Sequence, residues 1–468
     1  MKTKIWVLLG GFWWIYPHLL FARETSKELH WAVRLFGLGT SPQSTILPAN
    51  ALSREVNDLY ALLLYISVGI FSFVFLLFLY IIIRFNHKRG KEAQEIHGST
   101  LLETTWTIIP FLILIVIAVP TVRLIFKIGT MPNLAAQEEL VYRFPNEVDP
   151  TKRIQSYSRY LEVNVIGHQW WWEFEYVGYY SRQEGIDEPI FTPVKKVTAN
   201  EAWLPLGVPI KLNLISEDVI HSFWVPRLAG KLDVLPGKEN QMQFIVEEEG
   251  LYTGQCAEYC GASHALMRFQ VRGVTAERFQ QWVEWGLGDL EVESEAAERG
   301  MAAFGACVAC HTLEGYRPYE NRSSRIETAM GDYREELEEY KLEIKAFEQR
   351  KRAENPDLHP RDLLTDDDRP FLPEKPHPHR GEFRTIAPDL TDMRFRHYLL
   401  SGIEKNTKEV LKAWIENPPA IKPETENTVV TRMPPFKGML EEQTIDDIVE
   451  FLRTLKYSDS VEPKLLSN

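Results

Sequence analysis

The stretch from Gly254 to Met267 reads G-Q-C-A-E-Y-C-G-A-S-H-A-L-M. Three residues lie between Cys256 and Cys260; His264 follows the second cysteine at four and Met267 at seven. A further histidine, His221, stands upstream in S-E-D-V-I-H-S-F-W-V-P. Thiolate and imidazole with a weak thioether form a soft donor set that suits copper. A single copper ion needs one cysteine. Two cysteines can bridge a pair of ions, and the two histidines then give each ion a terminal ligand. On spacing alone, two other readings compete: a plain disulfide between Cys256 and Cys260, and a Cys2His2 zinc site. Met267 and the strand patterns on either side shift the balance to copper.

Those strand patterns extend the loop into a domain. Leu161, Val163 and Val165 alternate with Glu162 and Asn164; Ile210, Leu212 and Leu214 alternate with Lys211 and Asn213; Met267, Phe269 and Val271 repeat the period. Alternation broken by turn signals predicts a small antiparallel sandwich or barrel over 159–275. Residues 128–158 before it are polar and irregular, and 276–293 after it are polar and helix-compatible; both read as linkers.

Two runs without a charge, 59–83 and 104–122, are each long enough to cross a hydrocarbon core of about 30 Å. They predict a transmembrane hairpin over 58–127. Its short connection carries Lys88, Arg89 and Lys91, with Arg84 just before, so the connection is cytoplasmic and both flanks lie outside. Lys2 and Lys4 precede an apolar stretch from Ile5 to Ala22, which reads as a signal sequence or an uncleaved anchor. Residues 23–57 are then extracytoplasmic. The formal net charge of −13 argues against nucleic acid, which requires basic patches. An acidic face can steer a basic redox partner.

A second constellation is Cys307-Val308-Ala309-Cys310-His311, C-x-x-C-H. Two thioether bonds to a haem and an axial imidazole need this spacing. A thioredoxin-like pair is the rival, but it lacks the βαβ context. For the second axial ligand, Arg432-Met433-Pro434-Pro435-Phe436 resembles the methionine loop of class I cytochromes c. Met439 competes nearby, and Met393, His379 and His397 from farther off. Ala387-Pro388-Asp389-Leu390 resembles the segment of those cytochromes in which the proline, here Pro388, lies by the axial histidine. Thr444 to Leu455 is an amphipathic helix. The expected unit is 294–458 with an insertion at 312–386, followed by a tail, 459–468. Within the insertion, Tyr333, Leu337, Tyr340, Ile344 and Phe347 make one apolar seam on a charged helix, and a proline-rich stretch from Pro356 to Pro378 reads as extended.

Across 55–275 the chain resembles cytochrome c oxidase subunit II. The matching pieces are L-E-T-T-W-T-I-I-P at 102–110, G-H-Q-W-W-W at 167–172, the His221 segment and the cysteine loop. The resemblance implies a dinuclear copper A centre with Cys256 and Cys260 bridging. His221 and His264 would be terminal ligands, and Met267 and the Glu258 carbonyl weak ones. It also implies a magnesium ion shared with subunit I through the Glu258 side chain. Trp170 would be where electrons come onto copper, and Glu103 the mouth of a proton path into subunit I. The bland alternatives are interface packing for Trp170 and helix-dipole compensation for Glu103. His168 could support the site or simply pack.

The expected fold is a multidomain membrane protein with a two-helix transmembrane hairpin, an all-β cupredoxin barrel and an all-α class I cytochrome c domain. The combination resembles oxidases of the caa type in a bacterial cell membrane, with both redox domains on the periplasmic side. Partners implied are subunits I and III and an external donor such as cytochrome c. Electrons would pass from haem c through copper A to subunit I, where oxygen is reduced and protons are pumped. Two rivals are a copper A component of a nitric oxide or nitrous oxide reductase and a copper-delivery protein. The latter has no need of covalent haem.

Overall fold

The computed structural model describes residues 43–45, 47–85, 98–129, 158–182, 190–286, 288–314, 339–340, 342–347, 349–353, 387–422 and 433–458. The expected signal sequence, the cytoplasmic cations Lys88, Arg89 and Lys91, most of 128–158 and of 312–386, His379 and the tail lie outside these residues.

Among the described residues two long helices come first, α1 (Ala51–Arg84) and α2 (Thr100–Gly129). Both are long and apolar enough to cross a membrane, and their most apolar windows are almost wholly exposed. α1 begins two turns before the uncharged run, because its polar start has work outside the apolar zone. Asn50 caps it: the side chain accepts from Ser53 N at 2.8 Å, which satisfies one of the amides a helix start leaves open. The same side chain donates to Leu228 O at 2.6 Å and Ile245 O at 2.8 Å. Arg54 adds an ion pair to Glu247 at 2.6 Å. The helix is thus fastened at its head to the β domain.

Among its described residues that domain holds ten strands: β1 (Ser158–His168), β2 (Trp171–Arg182), β3 (Ile190–Ala199), β4 (Glu201–Pro205), β5 (Pro209–Ser216), β6 (His221–Trp224), β7 (Lys231–Val234), β8 (Asn240–Ile245), β9 (Gly250–Cys256) and β10 (Arg268–Val274). They form two five-stranded sheets, ordered β3-β2-β1-β5-β8 and β4-β10-β9-β6-β7. The expected sandwich is present, with one correction: β1–β5 and β4–β10 pair in parallel. Leu161, Val163, Val165, Ile210, Leu212, Leu214, Met267, Phe269 and Val271 all face the core and are buried.

The alternate positions Glu162, Asn164, Gln270 and Arg272 point away from this core, yet they are buried too. On the first sheet a polar network covers them: Glu162 accepts from Lys211 Nζ at 2.6 Å and from Asn213 Nδ2 at 2.8 Å. On the second sheet the cover is the rest of the chain.

Residues 276–293 do not behave as a simple linker. They begin with helix α3 (Ala276–Glu284), whose Phe279 and Trp282, with Trp285 just after, belong to the β-domain core. Trp285 also meets Phe395 and Tyr457 edge-on. A second core follows, built by α4 (Glu295–Ala303), α5 (Lys408–Glu416) and α6 (Glu442–Arg453) around Phe304, Leu411, Ile448 and Phe451. Leu290–Glu291 and Lys456–Tyr457 pair as short antiparallel strands, so this unit ends where it began. The unit is described up to Glu314 and again from Ala387. The two edges of that gap are joined: Leu390 N donates to Thr312 O at 2.9 Å and Glu314 N to Thr391 Oγ1 at 3.0 Å. Within 339–353 the described residues are helical, and Tyr340, Ile344 and Phe347 of the expected seam are half-buried. Tyr333 and Leu337 are outside the described residues.

Candidate functional site

The first site sits where β6, β9 and the start of β10 converge. Phe223 of β6 pairs with Cys256, the last residue of β9, which brings His221 beside the cysteine loop. Cys256 Sγ lies 3.8 Å from His221 Nδ1 and 3.7 Å from Cys260 Sγ. Cys260 Sγ in turn lies 3.6 Å from His264 Nδ1 and 3.7 Å from Met267 Sδ. The Glu258 carbonyl is 3.2 Å from Cys256 Sγ. The sulfurs are not joined, since a disulfide holds its atoms at about 2.05 Å. His221, Cys256 and Cys260 bring one donor atom each within 4.8 Å of one another; His264 stands outside that group, on the far sulfur. One imidazole beside each sulfur suits two bridged ions better than one tetrahedral zinc.

Charge in this buried cluster is divided. Donation from the Cys260 thiol, with help from His221 and against burial, holds the Cys256 thiol at about 3. The same contact and burial push Cys260 far up. Two adjacent sulfurs cannot both ionise without a cation between them, and that is the chemistry of a metal site.

Asp218 is a residue the sequence reading missed. Its Oδ1 lies 2.8 Å from His221 Nε2, and its Oδ2 accepts from Gln169 N at 2.6 Å. Burial pushes the carboxyl up, but the His221 contact and the amides of Val219 and Gln169 outweigh it and leave the group low. Burial likewise pushes the imidazole down, and Asp218 and Cys256 outweigh it, leaving His221 raised. With Nε2 engaged, Nδ1 is the nitrogen turned to the sulfurs. A carboxylate that orients a ligating histidine is the usual outer partner of a metal site.

The three tryptophans have three fates. Trp172 is core, edge-on to His221 and Phe223. Trp171 stacks on His168 at 4.2 Å, and His168 pairs with Glu173 at 3.1 Å, which is a packing role. Trp170 is half-buried, and its Nε1 donates to Cys260 O at 3.0 Å. Gly261 has φ +113°, and a Cβ there would come within 3.1 Å of the Trp170 ring, so only glycine lets the loop turn against this indole.

The second site is a cavity of 270 Å³ lined by Cys307, Cys310, His311, Pro388 and Met433, and also by Trp170. His311 Nδ1 donates to Pro388 O at 2.7 Å, leaving Nε2 as the free lone pair; burial holds the imidazole below its ordinary value. Mostly apolar walls, two thiols, an oriented imidazole and a thioether fit a covalently held haem. Met439 is 70% exposed and does not border the cavity. Met393 does, but lies 4.0 Å from the Asn406 amide nitrogen. His397 points to Phe395 O at 3.4 Å. Glu103 is exposed in the first turn of α2, and the Glu258 side chain is exposed at the tip of the cysteine loop.

The class is therefore a two-helix membrane anchor carrying a cupredoxin-type sandwich with a thiolate–imidazole metal centre. Residues 45–124 match the transmembrane domain and 161–274 the periplasmic domain of cytochrome c oxidase subunit II. Cytochrome c oxidase subunit 2 of Alkalihalophilus pseudofirmus is 31% identical over 283 residues, covering 59% of this chain and 73% of that one. The subunit 2 of Bacillus sp. strain PS3 is 28% identical over 384 residues, 80% of each. The solved periplasmic domain of subunit II from Bradyrhizobium japonicum shares 30% identity, covering 26% of this chain and 91% of that one at a TM-score of 0.22. The chain belongs to the cytochrome c oxidase subunit II family, whose members serve a membrane-bound haem–copper oxidoreductase complex. Its two helices span the membrane and its β domain lies outside.

Proposed function

We propose that this chain carries electrons from a haem c held in its C-terminal unit, through a dinuclear copper A centre, to subunit I of a caa-type oxidase. The observation that carries the reading is Trp170, which hydrogen-bonds a copper-loop carbonyl and also walls the haem cavity. When bound, the two metal groups supply one-electron storage, with thiolate-bridged coppers sharing the charge. The protein does the rest. Cys256, Cys260, His221, His264, Met267 and the Glu258 carbonyl would hold the copper ions. Asp218 orients His221, and the burial of the cluster keeps water from reorganising around it. Cys307 and Cys310 would hold the haem covalently, His311 and Met433 would ligate its iron, and the Pro388 carbonyl fixes the imidazole. Trp170 is the bridge between the two sites. The match to the Bacillus PS3 subunit reaches beyond the copper domain, because an aligned stretch covering 80% of this chain includes the C-x-x-C-H positions wherever it starts.

Subunits I and III are the implied partners, and cytochrome c or a respiratory complex the implied donor; oxygen reduction and proton pumping belong to subunit I. The exposed Glu258 side chain is free to reach a magnesium ion at that interface, and Glu103 to open a proton path on the cytoplasmic side. The test is the composition of the purified complex together with flash-induced kinetics. Two coppers and one covalent haem per chain are expected, and Trp170→Ala should keep both but slow haem-to-copper transfer. One zinc without copper overturns the copper reading, absence of covalent haem overturns the C-terminal one, and unchanged kinetics overturn the bridge.

A further inference from the structure

The cavity that would take the haem has two buried cations in its wall, Arg396 and Lys422. No aspartate or glutamate lines it among the described residues. Arg396 is balanced from behind: Asp392 and Asp389 favour its charge, and its Nη2 donates to Asp389 O. Lys422 has no ion pair among the described residues. Its ammonium has one partner among the described residues, the Ser401 hydroxyl at 3.4 Å, although the residue is only 5% exposed. An ammonium out of water without an anion is costly, and such groups are found paired. Burial alone pushes Lys422 down to about 8, which fits a site waiting for a negative partner.

The position of Lys422 adds direction. Ser401 accepts from Lys422 and donates to Trp170 O at 2.8 Å. Its own carbonyl accepts from Arg268 N at 3.0 Å, next to Met267. Leu400, Ser401 and Gly402 hold φ of 58°, 62° and 78°, a left-handed run that turns the serine toward the copper domain. Lys422 therefore stands on the side of the cavity nearest Trp170. A haem bound by two thioethers has its carboxylate arms on the edge opposite the cysteines. A haem held at Cys307 and Cys310 would carry that edge into the cavity that Lys422 lines.

We propose that Lys422, backed by Ser401, binds a carboxylate of the attached haem, so that the haem's carboxylate edge faces Trp170 and the copper loop. This rests on the haem reading above and gives it an orientation. Lys422 is then a positioning residue for electron transfer. The other titratable groups on the cavity wall are Arg396, Tyr398, His311, Cys307 and Cys310; the last three are used by the haem itself.

The test uses the full chain, matured in its complex, with haem content measured first. Wild type without covalent haem overturns the haem reading, independently of Lys422. With haem present, its midpoint potential is titrated from about pH 6 to pH 9, the range in which poorly paired buried groups ionise. Wild type should be flat, because a paired ammonium and carboxylate both stay charged. Lys422→Met should lower the potential and make it fall with rising pH, as an unpaired carboxylate ionises beside the iron. Lys422→Arg should restore the flat profile. A Met variant with the wild-type potential and slope overturns the proposal. If that variant matures no haem, the wild type decides: a slope within this range would show Lys422 titrating without an anion, and would overturn it equally.

Discussion

Asp218 is the residue on which the copper site's geometry turns. It binds His221 Nε2 through one oxygen and a backbone amide of the Trp170 segment through the other. It therefore sets a ligand and the bridge residue together. Losing such an outer partner typically weakens metal binding about 10–100-fold. Asp218→Ala should show a loss of that order in a copper titration followed by the visible band, with Asp218→Asn intermediate because its amide oxygen still accepts. Copper affinity equal to wild type in the alanine variant would remove Asp218 from the site. The contrast with the ligands is instructive about legibility. Cys256, Cys260, His264 and Met267 were readable because one loop fixes their spacing. Asp218 stands three residues before His221 in a turn, where an aspartate has ordinary work to do, and nothing in its spacing marks it. Two prolines mark Met433 off from Met439 in the sequence; Met433 lines the cavity and Met439 does not.

At the scale of elements, α4 and α6 cross with their backbones almost touching. A Cβ on Gly300 would fall 2.0 Å from Asp447 O and 2.8 Å from Phe451 Cβ. The first of these is backbone and cannot swing away. Arg299 beside it locks the crossing with two bonds to Asp447, at 2.7 and 2.9 Å. Gly300→Ala should therefore push the helices apart. Overpacking costs typically about 1–3 kcal/mol, and this contact belongs at the upper end. Thermal unfolding of the C-terminal unit measures it; an unchanged midpoint would mean the crossing is looser than the structure has it. The sequence hides this glycine, since an isolated glycine in a polar helix reads as a tolerated weakness. It also hides α3. Its Phe279, Trp282 and the following Trp285 were legible as aromatic residues on a short polar helix, but not as the joint between two cores.

Across the whole molecule, the two extracytoplasmic units are joined by buried charge. Lys196 of β3 meets Asp392 at 2.9 Å with both side chains almost inaccessible. Arg272 pairs with Glu201, which also accepts from His397 N at 3.1 Å. Neither Asp392 oxygen has a well-angled donor among the described residues, so attraction to the ammonium is what holds it. Burial pushes its carboxyl up in spite of Lys196. Removing one partner of a buried pair typically costs about 3–5 kcal/mol, while replacing both with apolar groups is often neutral. Lys196→Met should destabilise the docked pair by about that much, and Lys196→Met with Asp392→Leu should recover most of it in a double-mutant cycle. The single variant's deficit should shrink as pH falls, because a carboxyl whose folded pKa is raised regains stability by taking up its proton. Equal stability of the single and double variants would show that the pair does not hold the units together. None of this was legible in advance: Gln270 and Arg272 stand at the outward positions of an alternating strand, and only a neighbouring unit folded onto that face buries them.

The shared wall of the cavity at Cys307 and His311 bears on inheritance. Trp170 and Asn200 come from the copper unit and Ser401 and Lys422 from the other, so neither half contains its own complete pocket. A C-terminal unit transplanted from a relative would meet a foreign wall at β3 and β10 and a foreign partner for Trp170. Substitutions on one side of the joint must be matched on the other. The fusion is therefore better regarded as one heritable unit than as two exchangeable modules. A graft cut at residue 294 would have to carry the facing residues of the copper domain with it.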